Sequence, residues 1–274
     1  MSFHPVAFPD CTEEESFGGK VTSLGAAMRA GLPAPPGYGV EVELVNAIVA
    51  GNEAAITSVK AVFDELAPSV AVRSSAVGED SADASFAGQH DSIMNVRSAE
   101  DIVEAIRAVY RSAHTESALA YREKVGVTHD ARIAVAIQQQ IPSEKAGVMF
   151  TRNPISGAEE RYIECAWGLG EAVVAGMVVP DTYRMDKDGT ILEKEAGEKD
   201  IQLVLNETGG TDEVEVADDL VEAHCLSDEE LAQMHQLALD CEAAYGPNLD
   251  TEFAFYDGRL YLLQCRTITT VHKL

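Results

Sequence analysis

The 274 residues hold 46 Asp and Glu against 20 Lys and Arg, a formal net charge of −26 that excludes nucleic acid and anionic membrane as partners, since both would be repelled over most of the surface. A hydrophobic share of 46% with 24% charged residues describes a globular protein able to bury a sizeable core as one large domain or two lobes. No apolar run approaches the ~20 residues of a membrane span, and the opening MSFHPVAFPDCTEEE lacks the basic-then-apolar order of a signal peptide, so a cytoplasmic protein is expected.

The five cysteines are far apart and form no CxxC pair, which predicts reduced, buried thiols rather than a zinc site or a disulfide framework. The acidic balance also makes the few cations informative. A phosphate-rich ligand would need them gathered where it sits, so a Lys or Arg in a Gly/Ser setting counts for more than usual.

In chain order, SFGGKVTSLGAAMRAG (16–31) places Gly18, Gly19 and Lys20 before a short helix that stops at Gly31, a pattern that suits either a phosphate cradle or a solvated helix start. Prolines 33, 35 and 36 set a turn, and helices are predicted near 41–50 and 53–66.

The stretch VAVRSSAVGEDSADASFAGQHDSIMNV (70–96) begins as a strand ending in Arg73 and then concentrates small, polar and acidic residues. Ser74, Ser75, Gly78, Ser81, Ser85 and Gly88 can bring N–H and hydroxyl groups close to a polyanion, and Arg73 offers a planar fork suited to phosphate. The same composition also fits a surface loop between two strands.

A helix capped by Ser98 with Asp101 is predicted to run to about Lys124. ARIAVAIQQQIP (131–142) reads as a buried strand that turns polar at Gln138, Gln139 and Gln140 and is stopped by Pro142. It suits a hinge that hydrogen-bonds the edge of a nucleobase, or equally an edge strand with solvated glutamines. AGVMFT is another short strand, and alternation over 182–216 predicts short antiparallel strands with Gly209 and Gly210 at a turn. Ser227, Glu230 and Gly246 bound a long helix.

NLDTEFAFYDGRLYLLQCRTITT forms two strands around Asp257-Gly258. A two-residue loop would pair Tyr256 with Arg259 and put Glu252 and Gln264 on opposite faces. A three-residue loop pairs Tyr256 with Leu260 and sets Glu252 beside Gln264. The apolar face made by Thr251, Phe253, Phe255, Tyr261, Leu263 and Cys265 favours the second. It would join a carboxylate and a neutral oxygen, hard donors suited to Mg2+, with Arg266 close by. The bland alternative is an exposed face with a weak surface ion pair.

Taken together, Gly18-Gly19-Lys20, LPAPPGY, VAVRSSAVGEDSADASFAGQ, AGVMFT, WGLGEAVVAGMVVPDTY, GGT at 209–211, DTEFAF and LLQCRTITT resemble the N-terminal nucleotide-binding domain of the phosphoenolpyruvate synthase and pyruvate phosphate dikinase family. Rifampin phosphotransferase and the nucleotide-binding subunit of phenylphosphate synthase belong to the same group. The resemblance implies an α+β, ATP-grasp fold with lobes at 1–137 and 138–274 and ATP with Mg2+ (Mn2+ as a substitute) between them. It implies that Lys20, Arg73 and Arg266 serve catalysis on the phosphates, that Gln138, Gln140 and Ile141 hold adenine, and that Glu252 and Gln264 ligate the metal. Ser85, Gly88 and Gln89 would close over the phosphates.

The sequence departs from the family pattern at Phe253, where Trp is usual, at Thr267, where Pro is common, and at Gln140, where an apolar hinge residue is usual. None of the seven histidines sits in the Gly-rich Thr-Ser-His setting of a phosphocarrier, and no swivelling or acceptor domain follows LLQCRTITT. The expectation is therefore one part of a split system, or an excised domain. It would phosphorylate a histidine on a separate swivelling domain or subunit, which passes phosphate to a small-molecule acceptor such as pyruvate or phenol on an acceptor-binding subunit, with release of AMP and phosphate. Two alternatives are a nucleotide-sensing regulatory module without turnover and a self-contained ligase, for whose acceptor pocket the sequence gives no signal.

Overall fold

The computed structural model describes residues 4–78, 92–115 and 132–268. Ser81, Ser85, Gly88 and Gln89 lie outside these residues. The architecture is α+β in two compact units: Met1–Met28, Pro35–Gln140 and Asn206–Gly210 form the first, and Arg29–Ala34, Ile141–Leu205 and Thr211–Leu274 the second. The chain thus passes from one unit to the other after Gln140, so Gln138 and Gln140 go with the first unit and Ile141 with the second.

The first unit is built on a sheet of β1 (Val6–Ala7), β2 (Gly37–Val40), β3 (Val70–Ala76), β4 (Ser92–Val96) and β5 (Ile133–Gln139), in the order β1-β2-β5-β3-β4 with every pair antiparallel. Alternation sorts its two faces. Val72, Val135 and Ile137 pack with α2 (Val42–Val49), α3 (Glu53–Lys60), α4 (Val62–Leu66) and α5 (Ala99–Ser112).

The opposite face carries Gly37, Gly39, Ala71, Ala134 and Ala136, residues small enough for α1 (Glu14–Arg29) to come close. A Cβ on Gly39 would lie 2.7 Å from Val21 Cγ1 and 2.9 Å from Phe17 Cδ1.

Ser98 caps α5 by accepting from Asp101 N at 3.1 Å, as predicted. The helix stops at Ser112, well short of Lys124. There the Ser112 hydroxyl turns back to Val109 O at 2.8 Å and the His114 ring meets Tyr110 O at 2.7 Å, local bonds that compete with further helix. Residues 116–124 of the predicted helix lie outside the described residues.

The second unit has a six-stranded antiparallel sheet of β6 (Lys145–Phe150), β7 (Arg161–Trp167), β8 (Asp181–Met185), β9 (Ile191–Glu195), β12 (Leu249–Tyr256) and β13 (Arg259–Thr267), in the order β13-β12-β6-β7-β8-β9. A separate hairpin pairs β10 (Ile201–Leu205) with β11 (Thr211–Glu215). The short α6 (Glu171–Val174) follows β7, and α7 (Asp228–Tyr245) carries the predicted capping box between Ser227 and Glu230.

One face of the large sheet is apolar and closed. Met149, Ile163, Tyr183, Phe253 and Phe255 are at most 1% exposed there. α7 is tied to that side by ion pairs from Arg161 and Lys187 to Glu242 and from Lys145 to Glu230. Phe253 meets Phe255 edge-on with ring centroids 6.0 Å apart. All five cysteines are buried thiols.

A fully buried ion pair sits in this core. Asp181 accepts from Lys199 Nζ at 2.5 Å, Gly197 N at 2.9 Å, Tyr183 OH at 2.9 Å and Cys225 N at 2.6 Å. Burial alone would raise the Asp181 carboxyl, but Lys199 and the two amides reverse this and hold it below the ordinary range.

Candidate functional site

In the first unit the Gly-Gly-Lys segment is a kink, not a simple helix start. Gly18 has φ 72° and ψ 168°, and a Cβ there would lie 2.1 Å from Ser75 O, so only glycine lets α1 meet β3. The Ser75 hydroxyl accepts from Val21 N at 3.1 Å, which fixes the residue after Lys20 onto the strand.

Ser74 and Ser75 are buried inside the sheet, so Ser75 serves the docking of α1. The expectation that these two hydroxyls and amides face a polyanion is corrected accordingly. Arg73 is the only residue of β3 that is not fully buried, and it shares the α1 side of the sheet with Ser75.

Gln138 lies on that same side, opposite Ala71 of β3 and Gly37 of β2. Its side chain is 3% exposed, and its Nε2 has no hydrogen-bond partner among the described residues. A buried donor left open is costly, and such groups point to a missing partner. Along β3 the line from Ser75 past Arg73 to Ala71, where Gln138 sits alongside, covers four residue steps, or about 13 Å. Arg73 stands at the middle of that line and the Gln138 amide alongside one end.

Gln140 behaves differently from what the sequence led us to expect. Its Oε1 accepts from Asn95 N at 3.2 Å and its own N–H donates to Ser69 O at 3.0 Å, so these two groups serve the protein's own framework. Asn95, which sequence reasoning missed, is 1% exposed with φ 54°, in a bulge of β4 against β3. Nothing in SIMNV marks that conformation, since a positive φ on Asn arises from the bulge.

In the second unit the C-terminal ribbon divides between the two registers: Thr251, Phe253, Phe255 and Cys265 lie on the closed face as expected, whereas Tyr261 and Leu263 pack with Ile141 and Ala254 on the other, a correction to the expected apolar face. The loop has two residues, Asp257 at φ 49° and Gly258 at φ 69°, and Tyr256 pairs with Arg259, so the three-residue loop is corrected. A β-bulge between the Glu252 and Phe253 pairings then adds one residue to β13, and Glu252 still faces Gln264 directly.

The extra residue leaves Phe253 paired with Leu262 and Thr251 with Cys265 on the closed face. Glu252, Gln264, Asp250 and Arg266 share the other. Ile141, Ala146 and Ala254 form a small apolar cluster there with Tyr261 and Leu263, two residues along β12 from Glu252.

Arg266 is held by its neighbour. Its Nε and Nη2 both donate to Asp250 Oδ2, at 2.8 and 2.7 Å. Burial pushes the Asp250 carboxyl up, the Arg266 guanidinium pulls it back, and Glu252 adds to the rise, leaving it above the ordinary range.

The donor set fits a hard divalent cation, since Glu252 and Gln264 present a carboxylate and an amide oxygen side by side. No group of three or more His, Cys, Asp and Glu suited to a metal occurs among the described residues. No described helix is long and apolar enough to cross a membrane.

Residues 52–273 match the family described as pyruvate phosphate dikinase, AMP/ATP-binding domain. A probable phosphoenolpyruvate synthase of Methanocaldococcus jannaschii is 36% identical over 93% of this chain and 26% of that protein. One from Methanothermobacter thermautotrophicus is 37% identical over 93% of this chain and 44% of its own length. The prodigiosin synthesizing transferase PigC of Serratia marcescens is 33% identical over 95% of this chain and 32% of that protein. The chain therefore spans between about a quarter and somewhat under half the length of these relatives. With a family match over most of its length, the chain belongs to the pyruvate phosphate dikinase AMP/ATP-binding domain family, whose ATP-grasp fold the sequence implied.

Proposed function

We propose that this chain binds Mg-ATP and directs phosphoryl transfer to a histidine on a separate swivelling domain or subunit, which hands the group to a small-molecule acceptor such as pyruvate, phenol or a similar alcohol or enol; ATP gives up two phosphoryl groups, one kept on the histidine and one taken by water, leaving AMP and phosphate. The observation that carries this reading is the ribbon register: a bulge keeps Glu252 opposite Gln264 although the two-residue turn alone would have separated them. Phosphoryl transfer asks mainly for positioning and charge neutralisation, and no general base on this chain is required.

Lys20, set by the Gly18 kink, and Arg73, rooted in β3, balance phosphate charge. Arg266, aimed by Asp250, does so from β13. Gln138 offers its open Nε2–H to an acceptor on the base, while Ile141 and its apolar neighbours form a wall for the ring. Ser85, Gly88 and Gln89 are assigned to the cover over the phosphates. Glu252 and Gln264 hold Mg2+, which when bound neutralises phosphate oxygens, and Mn2+ would fit the same donors.

The test mixes the chain with ATP, Mg2+ and a candidate partner, following nucleotide by phosphorus NMR and the partner by intact mass. AMP with an acid-labile phosphoryl group on the partner is the expected result, and Glu252→Ala should reduce its rate on the order of 100-fold. ATP binding with no product refutes the transferase reading and leaves a nucleotide-sensing module.

A further inference from the structure

The turn Asn206–Gly210 is clasped by one side chain. Asn95 Nδ2 donates to Asn206 O and Gly210 O, both at 2.7 Å, and Asn95 O accepts from Gly210 N at 3.3 Å. These bonds depend on Asn95 keeping a positive φ inside the β4 bulge, a conformation uncommon for residues other than glycine. Gln140 supports it by giving Asn95 N–H a buried acceptor at 3.2 Å where the bulge interrupts the ladder.

Gln140 is anchored in its turn. Its N–H donates to Ser69 O at 3.0 Å, and the Gln139 N–H donates to Pro36 O at 2.9 Å. A single carboxamide thus joins the 138–141 segment to the bulge and, through Asn95, to the turn. An apolar side chain of equal length could not do this, because Asn95 N–H would lose its acceptor.

We propose that Gln140 is a positioning residue, passing occupancy of the 138–141 segment by a nucleobase through Asn95 into the order of the Asn206–Gly210 turn. The proposal rests on the nucleotide reading above. A base that restrains the segment restrains the acceptor on Gln140, Asn95 then spends less time outside its bulge conformation, and the turn it clasps opens less often.

Hydrogen exchange of the Asn95 and Gly210 amides, followed by NMR in the full chain with and without saturating Mg-ATP, tests this. In the wild type Mg-ATP should slow Gly210 exchange about tenfold. In Gln140→Met the Asn95 amide should exchange faster by about tenfold without nucleotide, and Gly210 should no longer respond to it. Gln140→Glu, which keeps an acceptor oxygen, should restore both. Asn95→Gly keeps the backbone conformation without the carboxamide and should leave Gly210 fast in either state, which carries the test if Gln140→Met does not fold.

Unchanged Asn95 exchange in Gln140→Met overturns the support of the bulge. Binding of Mg-ATP with no change at Gly210 in the wild type, or an equal change in Gln140→Met, overturns the coupling alone. Failure of the wild type to bind Mg-ATP overturns the nucleotide reading and the coupling with it, and the nucleotide-free Asn95 comparison still judges the support.

Discussion

Gly18→Ala is the sharpest test of how the Gly-Gly-Lys segment is seated. At φ 72° and ψ 168° the backbone occupies a region nearly reserved for glycine, so alanine there costs about 1–3 kcal/mol before any contact is counted. The added Cβ would also lie 2.1 Å from Ser75 O and 2.6 Å from Ser75 Oγ. The first of these atoms is strand backbone, with Ser75 paired to Ala134 of β5, so no rotamer change relieves the overlap.

The helix must back away instead. That would break the Val21 N to Ser75 Oγ bond, about 0.5–1.5 kcal/mol, and open the fully buried Val21, which adds about 1 kcal/mol or more. The sum is about 3–5 kcal/mol, to be read from urea denaturation. Gly51→Ala is the control, with φ 81° but nothing within 4 Å of its added Cβ, and should cost about 1 kcal/mol. A Gly18→Ala cost no larger than that of Gly51→Ala refutes the close-approach argument. Since Lys20 follows the kink directly, Gly18→Ala should also weaken ATP binding in an equilibrium titration.

Three further outcomes follow from charges. Lys199→Met leaves the Asp181 carboxylate buried without its cation and should cost about 3–5 kcal/mol, whereas adding Asp181→Asn should recover most of that loss; calorimetry of the single and double variants decides. The acid side of the stability curve has two opposed contributions. Asp181 and Glu160 lie below their ordinary values, so the stability they add is present above the unfolded pKa and is lost as pH falls through the folded one. Asp250 lies above its ordinary value of 3.8, so its folded form binds the extra proton and stability falls as pH rises through that window, a slope that Asp250→Asn should remove in urea midpoints measured across it. Finally, a net charge of −26 repels itself, so the melting temperature should rise between roughly 0.05 and 1 M KCl as the screening length shortens from more than 10 Å to about 3 Å; a flat or falling curve refutes self-repulsion as a main source of instability.

Most secondary structure was legible because local rules and tertiary packing agree: the capping box at Ser227 and Glu230 and the alternating strands over 182–216 form as predicted, and the strand expected over 131–142 forms at Ile133–Gln139. The ribbon loop was misread for an instructive reason. Asp-Gly prefers a two-residue turn and the apolar pattern prefers the register of a longer one; the bulge at β13 gives the first to the turn end, moving Tyr261 and Leu263 off the closed face, and the second from Glu252 onward. A pattern argument that assumes constant register has no place for that third solution. Gln140 and Asn95 were illegible because their roles are partnerships 45 residues apart. The buried Asp181–Lys199 pair stayed hidden because each reads alone as an ordinary surface charge.

The bulge also explains how one ribbon serves two demands. β12 alternates Asp250 and Glu252 with Thr251 and Phe253, so the residues assigned to metal and phosphate are rooted between residues of the closed core. Without the extra residue in β13, either Gln264 would turn inward and Cys265 outward, or Leu262 would leave the core. Burying a carboxamide beside Phe253 and exposing an apolar side chain are both unfavourable, so core packing alone favours a register that happens to set Gln264 against Glu252. The position of the candidate metal pair is thereby set by the hydrophobic effect on the far side of the sheet.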